Sequence, residues 1–346
     1  MRPLFPLILT GLATALPNLS SRQSTPLPST FTWTSSPILV TPKKDSRAIS
    51  GLKDPSVIFQ NNTYHVFAST AVESGYSLVY FNFTDFAAAN NAPFFYLDQS
   101  GIGTGYRAAP EVFYFAPQKL WYLIYQDGNA AYSTNKDINN PAGWTAPKVF
   151  YPNGTPTIIQ EGLTSPQPGY WVDMWVICDE LDCHLFSSDD NGRLYRSQTT
   201  VEKFPQGMSE PVIALQDQKN DLYEASNVYS VGDSSYLLLV ECIGVGDSAG
   251  GLRYFRSWTS NSLSGKWTPL AATQANPFMG EANVKFANGQ KWTKSISHGE
   301  IIRSELDQKL RIPTSGLRFM YQGIDPAATG TYNALLWKLG LLTQDA

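Results

Sequence analysis

Internal repetition constrains this chain more than any other feature. Three times a Trp-Thr pair is followed shortly by proline: "WTSSPILV" from Trp33, "WTAPKVF" from Trp144 and "WTPLAAT" from Trp267. Ahead of two of them stands a Tyr/Phe-rich strand ending in Ser or Thr, "AAYSTN" (130–135) and "LRYFRSWTS" (252–260). "YSLVYFNFTDF" (76–86) and "GRLYRSQTT" (192–200) fill the same slot in two further units. Upstream of each lies a hairpin pattern, at 55–69, 110–125, 172–187 and 225–242. Three strands and then a short outer strand make a four-stranded unit, with inner strands expected to start near Asp54, Pro110, Asp173, Glu224 and His298. Five such units arranged around a channel make an all-β, five-bladed β-propeller. The fifth unit runs out of chain before its outer strand. "FTWTSSPILV" is the segment expected to pair with that last blade and close the ring, removing free sheet edges.

The composition agrees with such a fold. Of 346 residues, 42% are hydrophobic and 13% aromatic, and only 16% are charged, below the roughly 25% usual for soluble domains. Sparse charge with many aromatic, Asn, Ser and Thr residues suits a carbohydrate-facing β protein. A net charge of −4 gives no electrostatic reason to expect nucleic acid or an anionic membrane as partner. The opening "MRPLFPLILTGLATALP" has a basic start, an apolar run and small residues, so 1–17 reads as a signal peptide, 18–30 as a flexible tail and 31–346 as the propeller. No later stretch is long and apolar enough to span a bilayer, and the expected location is extracellular. Secretion would make Asn61, Asn82 and Asn153, each in an Asn-x-Ser/Thr triplet, glycan acceptors on turns.

Three cysteines allow at most one intramolecular disulfide. Cys178 and Cys183 flank a hairpin-sized loop and could meet across paired strands, while Cys242 sits in an apolar run as a buried free thiol. No Cys/His spacing resembles a zinc site.

Charge inside the core pattern points to chemistry. "GLKDPSVIFQNNTYHVFAST" (51–70) reads as two strands joined by an Asn-Asn turn, yet Lys53 and Asp54 stand at its mouth. Asp before Pro is a common strand-entry dipeptide with extended geometry, which accounts for the position without function. Asp173 in "YWVDMWV" and Glu224 in "LYEASNVY" head apolar strands in the same way. In a propeller these strand starts converge on the channel, and three carboxylates from three blades suit acid–base work, since neighbouring acids push their pKa values apart. The alternative is that each acid merely satisfies turn amides.

The strings "KDPSV…YHVFAST", "APEVFYFAPQKLWYLIYQ", "YWVDMWVICD", "YEASNVY", "RYFRSWTS", "SISHGEIIRS" and "YQGIDP…YNALLWKLGLLT" together resemble glycoside hydrolase family 62, the α-L-arabinofuranosidases. The resemblance is collinear from about residue 31 to the C-terminus. It implies a five-bladed propeller that removes arabinofuranosyl branches from arabinoxylan with inversion; nothing in the sequence suggests an obligate partner, so a monomer is expected. On matching motifs it implies Asp54 as general base, Glu224 as general acid and Asp173 as the residue that tunes the acid and orients the sugar. It further implies Lys53, Arg253 and Tyr332 as substrate-binding residues and His298 as a channel histidine beside a structural calcium. Read from the residues alone, Lys53 could equally be an ordinary ion pair, His298 a satisfied core histidine, and Arg253 and Tyr332 rim packing. The chain departs from the family pattern at "IPTSGLRF", where Thr314 stands in place of a cysteine that many members tie to an N-terminal partner. Related propeller hydrolases of arabinanase or xylosidase type, and a non-catalytic carbohydrate-binding propeller, are the competing readings.

Overall fold

The alternating apolar runs form strands because their side chains pack on both faces of successive sheets. The computed structural model describes residues 27–232 and 235–345; the expected signal peptide and most of the tail lie outside them. Five sheets form the blades. Blade I contains Gly51–Gln60, Thr63–Val72, Gly75–Phe83 and Phe95–Tyr96. Blade II contains Ala108–Phe115, Leu120–Gln126, Ala130–Asn135 and Lys148–Val149. Blade III contains Val172–Cys178, Asp182–Ser188, Arg193–Thr200 and Val212–Gln216.

Blade IV contains Glu224–Val231, Ser235–Gly244, Leu252–Ser260 and Thr268–Pro269, with Arg311–Ile312 added parallel to its inner strand. In blade V, Ser297–Ile301 is innermost, followed by Arg318–Gly323 and Lys338–Gln344. Trp33–Ser35 then pairs antiparallel with Lys338–Gln344, and Val284–Phe286 lies parallel beyond it. Among the described residues no helix is long and apolar enough to cross a membrane.

The tryptophans of the Trp-Thr repeats are buried against neighbouring elements of the ring. Trp144 of blade II is buried edge-on against Phe67 of blade I, with ring centroids 5.5 Å apart. Trp267 of blade IV meets Phe186 of blade III in the same edge-on manner at 6.3 Å. Trp33 packs on Phe278 and donates its indole N–H to the Phe278 carbonyl at 2.6 Å. The first hairpin turns through Asn61 and Asn62 with φ of 49° and 61°, the left-handed pair that a two-residue hairpin loop requires. Cys178 and Cys183 are disulfide-bonded across paired strands of blade III, and Cys242 is a buried free thiol.

The inner strands share one irregularity. Each has a register shift near its start: between Lys53 and Ser56, Ala108 and Glu111, Val172 and Trp175, Glu224 and Asn227, and Ser297 and Gly299. In four of them the bulged residue is left-handed: Asp54 (φ 51°), Ala109 (50°), Asp173 (57°) and Ala225 (52°). The extended geometry expected for Asp54 before Pro55 is therefore not what forms, because the bulge sets the backbone there. In blade V the close approach falls on Gly299, where a Cβ would lie 2.0 Å from the Met320 carbonyl oxygen.

Trp33 is fully buried, so Trp33→Ala should cost about 3–5 kcal/mol. Deleting residues 31–40 should lower Tm far more than deleting 18–26. Thermal melts of the two truncations would decide, and equal Tm values would remove the N-terminal strand from any role in holding blade V.

Candidate active site

The bulges explain how the charged residues enter the channel. A bulge frees a backbone N–H that the strand ladder no longer pairs, and a buried N–H needs an acceptor. Here the acceptor comes from the preceding blade. Gln322 Oε1 of blade V takes the Asp54 N–H at 2.6 Å, and Ser69 Oγ of blade I takes that of Ala109 at 2.8 Å. Gln126 Oε1 of blade II takes that of Asp173 at 2.8 Å, and Glu241 Oε2 of blade IV takes that of His298 at 2.6 Å. Ser69, Gln126, Glu241 and Gln322 occupy one equivalent position, opposite the residue before the bulge on the second strand. In blade III that position is Ser188, and Asp173 itself reaches across, its Oδ2 accepting from Ala225 N–H at 2.6 Å.

This register corrects one expectation. Asp54, Asp173 and His298 are equivalent bulge residues, but Glu224 is not; Ala225 takes the bulge in blade IV and Glu224 stands one position earlier, like Lys53 and Ser297. Its side chain therefore leaves the strand on a different path from the two aspartates. Asp173 also serves a backbone amide, so the turn-satisfying role and a place in the site coexist in one residue.

All seven residues singled out in the sequence line one cavity of about 860 Å³. His298 Nδ1 lies 3.3 Å from Asp54 Oδ1 and 3.8 Å from Asp173 Oδ1. Glu224 Oε1 is 2.6 Å from Arg253 Nη1, which also meets Glu241 Oε1 at 2.9 Å. Arg253 is further held by the Gly250 carbonyl and lies over the Tyr223 ring. Lys53 is not an ordinary ion pair of the surface. Its ammonium lies over the rings of Tyr76, Tyr332 and Trp337, 4.7–5.8 Å from their centroids, and donates to the Tyr332 hydroxyl at 3.3 Å. Burial opposes its charge, but Tyr332 and Asp54 outweigh that and hold its pKa well above the usual lysine value. Tyr332 is 38% exposed at the rim.

The acids repel one another in a poorly solvated space. Asp173 is pushed well above the ordinary carboxyl range by burial first, then by Glu224 and Asp54. Glu241, fully buried, is raised to about 7 by burial although Arg253 opposes the shift. A calcium beside His298 requires oxygen ligands, six to eight of them in ordinary sites. Among the described residues no group of three or more His, Cys, Asp or Glu side chains could hold a metal ion, and His298 already faces Asp54 and Asp173. His298, Asp54 and Asp173 alone do not supply that many oxygens, so no chemistry is routed through a calcium.

Sequence reading missed Gln126, Glu241, Gln322 and Asp190, which also lines the cavity. The first three carried a signal: a single polar residue follows an apolar run within the second strand in "LIYQ", "LLVE" and "FMYQ". Gln322→Leu would leave the Asp54 N–H without its acceptor. It should cost roughly 1–3 kcal/mol of stability and lower kcat more than it raises KM. Unchanged kinetics with Tm alone reduced would show that Gln322 serves only the fold.

Comparison with known proteins agrees with this geometry. Residues 32–343 match the family described as glycosyl hydrolase family 62. The α-L-arabinofuranosidase C of Cellvibrio japonicus is 41% identical over 325 residues, covering 92% of this chain and 48% of the relative; the chain spans about half the length of that protein. The crystal structure of a Podospora anserina α-L-arabinofuranosidase in complex with cellotriose superposes with a TM-score of 0.89 at 62% identity, covering 92% of this chain and 98% of the other. A family 62 hydrolase in complex with xylotriose gives 0.87 at 59% identity, covering 94% and 99%. With its five bladed sheets, its converging acids and a match over almost its whole described length, this chain belongs to glycosyl hydrolase family 62.

Proposed function

We propose that this chain is a secreted, exo-acting α-L-arabinofuranosidase that removes arabinofuranosyl branches from arabinoxylan with inversion at the anomeric carbon. The observation that carries the reading is that Asp54 and Glu224 reach one cavity from blades I and IV, on opposite sides of blade V. Inverting glycosidases hold their two carboxyls about 6.5–9.5 Å apart, leaving room for a water, whereas retaining ones hold them about 5–5.5 Å apart. Carboxyls from non-neighbouring blades suit the wider arrangement.

In this reading Asp54, held by Gln322 and His298, takes a proton from the water that attacks the anomeric carbon. Glu224, fixed by Arg253, gives a proton to the leaving xylosyl oxygen as the glycosidic bond breaks. Asp173 anchors the backbone immediately after the acid through Ala225 N–H. Lys53 in its aromatic box offers donors to sugar hydroxyls, and half-exposed Tyr332 faces the next residue of the polymer. The xylotriose and cellotriose complexes of similar proteins support a β-linked chain as the polymer recognised. The Cys178–Cys183 disulfide supports an oxidising, extracellular setting, as does the leader pattern.

Asp54→Asn and Glu224→Gln should each lower turnover on arabinoxylan by on the order of a hundredfold or more while leaving Tm near the wild-type value. Near-normal activity of Asp54→Asn would sink its assignment as base. Free arabinose should be released from wheat arabinoxylan and not from debranched xylan or linear arabinan. Proton NMR of the first-formed sugar should show the β-anomer; early accumulation of the α-anomer would mean retention and would overturn the water-activating role of Asp54.

A further inference from the structure

One carboxyl in the cavity has no role assigned so far, although it faces Glu224. Asp190 sits in the turn between Asp182–Ser188 and Arg193–Thr200 of blade III, with a left-handed backbone (φ 54°), and is only 8% exposed. Its Oδ1 is buried without a hydrogen-bond partner, and the residue lines the same cavity as Glu224, Arg253 and Tyr223. The cation nearest in chemistry, Arg253, is already committed to Glu224 and Glu241. A buried carboxylate with no cation of its own costs several kcal/mol, so such a group becomes neutral or finds a ligand.

The turn that presents Asp190 is held from several sides. Asp189 Oδ1 accepts from Asn191 N–H and Arg193 N–H, and its Oδ2 accepts from the Tyr195 hydroxyl. Asn191 Nδ2 donates to the carbonyls of Gly162, Ser165 and Gln167 in the adjoining loop. Gly169 of that loop lies so close that a Cβ would sit 2.2 Å from the Asp189 carbonyl oxygen. A polar side chain aimed into a sugar-sized cavity from a fixed turn, with an unused oxygen, is arranged for a ligand hydroxyl.

We propose that Asp190 is a substrate-positioning residue whose neutral carboxyl hydrogen-bonds a hydroxyl of the bound arabinofuranosyl residue. This rests on the arabinofuranosidase reading of the site. Burial, then the charges of Glu224 and Asp173, push Asp190 up to about 10, which agrees with a neutral acid at working pH. A neutral acid both donates and accepts, as a side-chain amide does, and this makes the role separable from that of a charged carboxylate.

The test compares wild type, Asp190→Ala and Asp190→Asn with 4-nitrophenyl α-L-arabinofuranoside as substrate and free L-arabinose as competitive ligand. Asp190→Ala should raise KM and the inhibition constant of L-arabinose by about tenfold or more, since it leaves a sugar hydroxyl unpaired in a buried site. Asp190→Asn should recover most of that loss, with both variants melting close to wild type. Asp190→Asn as impaired as Asp190→Ala would overturn the neutral role, because a charge would then be what matters. Asp190→Ala within twofold of wild type in both constants would overturn the assignment while leaving the arabinofuranosidase reading intact. A wild-type protein that releases neither 4-nitrophenol from this substrate nor arabinose from arabinoxylan would overturn that reading and this inference with it.

Discussion

A backbone N–H freed at the start of each inner strand has to be satisfied away from water, and every blade meets that demand with a side chain of its neighbour. Gln322, Ser69, Gln126, Asp173 and Glu241 pass such hydrogen bonds around the ring in one direction. The consequence is geometric. Each bulge residue is positioned relative to the blade before it as well as within its own sheet, so the residues facing the channel are set by contacts between blades. A buried amide left unpaired costs roughly 1–3 kcal/mol, more than a typical hydrogen bond contributes, which makes sliding of one blade against the next expensive where the site sits.

The same network concentrates charge that the core would otherwise reject. Glu241 holds His298 N–H, Ser297 and Arg253, and Arg253 in turn holds Glu224. Asp54 and Glu224 are thus linked through a path of buried groups: Asp54 N–H to Gln322, Gln322 to Ser297, Ser297 to Glu241, and Glu241 to Arg253. Every member has at least one defined partner, and partly satisfied networks are far more costly than complete ones. The crowding of acids falls on Asp173, pushed well above the carboxyl range, while its backbone-binding oxygen keeps it in place.

Much of the architecture could be read from the repeats, because three buried Trp-Thr anchors and alternating hairpins are local signals that recur along the chain. Lys53, Asp54, Asp173 and Glu224 were legible as charges interrupting apolar strands. Arg253, Tyr332 and His298 were drawn from family likeness, since an arginine in a strand or a tyrosine in a loop has no pattern of its own. The one-residue offset of Glu224 was hidden, because a bulge changes register without changing composition. Asp190 was hidden for another reason. "DDNG" is a sound turn sequence by itself, and nothing local says that the turn is folded inward against residues 162–169 and not toward solvent.

The pairing of Trp33–Ser35 with Lys338–Gln344 also dictates an order of events during synthesis. The first of these strands leaves the ribosome some three hundred residues before its partner exists, and Trp33 has no Phe278 to pack against until blade IV is made. Blades I to IV can assemble from neighbouring hairpins, whose contacts are local and quick to form. Blade V cannot. During that interval a segment carrying Phe31 and Trp33 is without its partners, and its strand edge is open to pairing elsewhere.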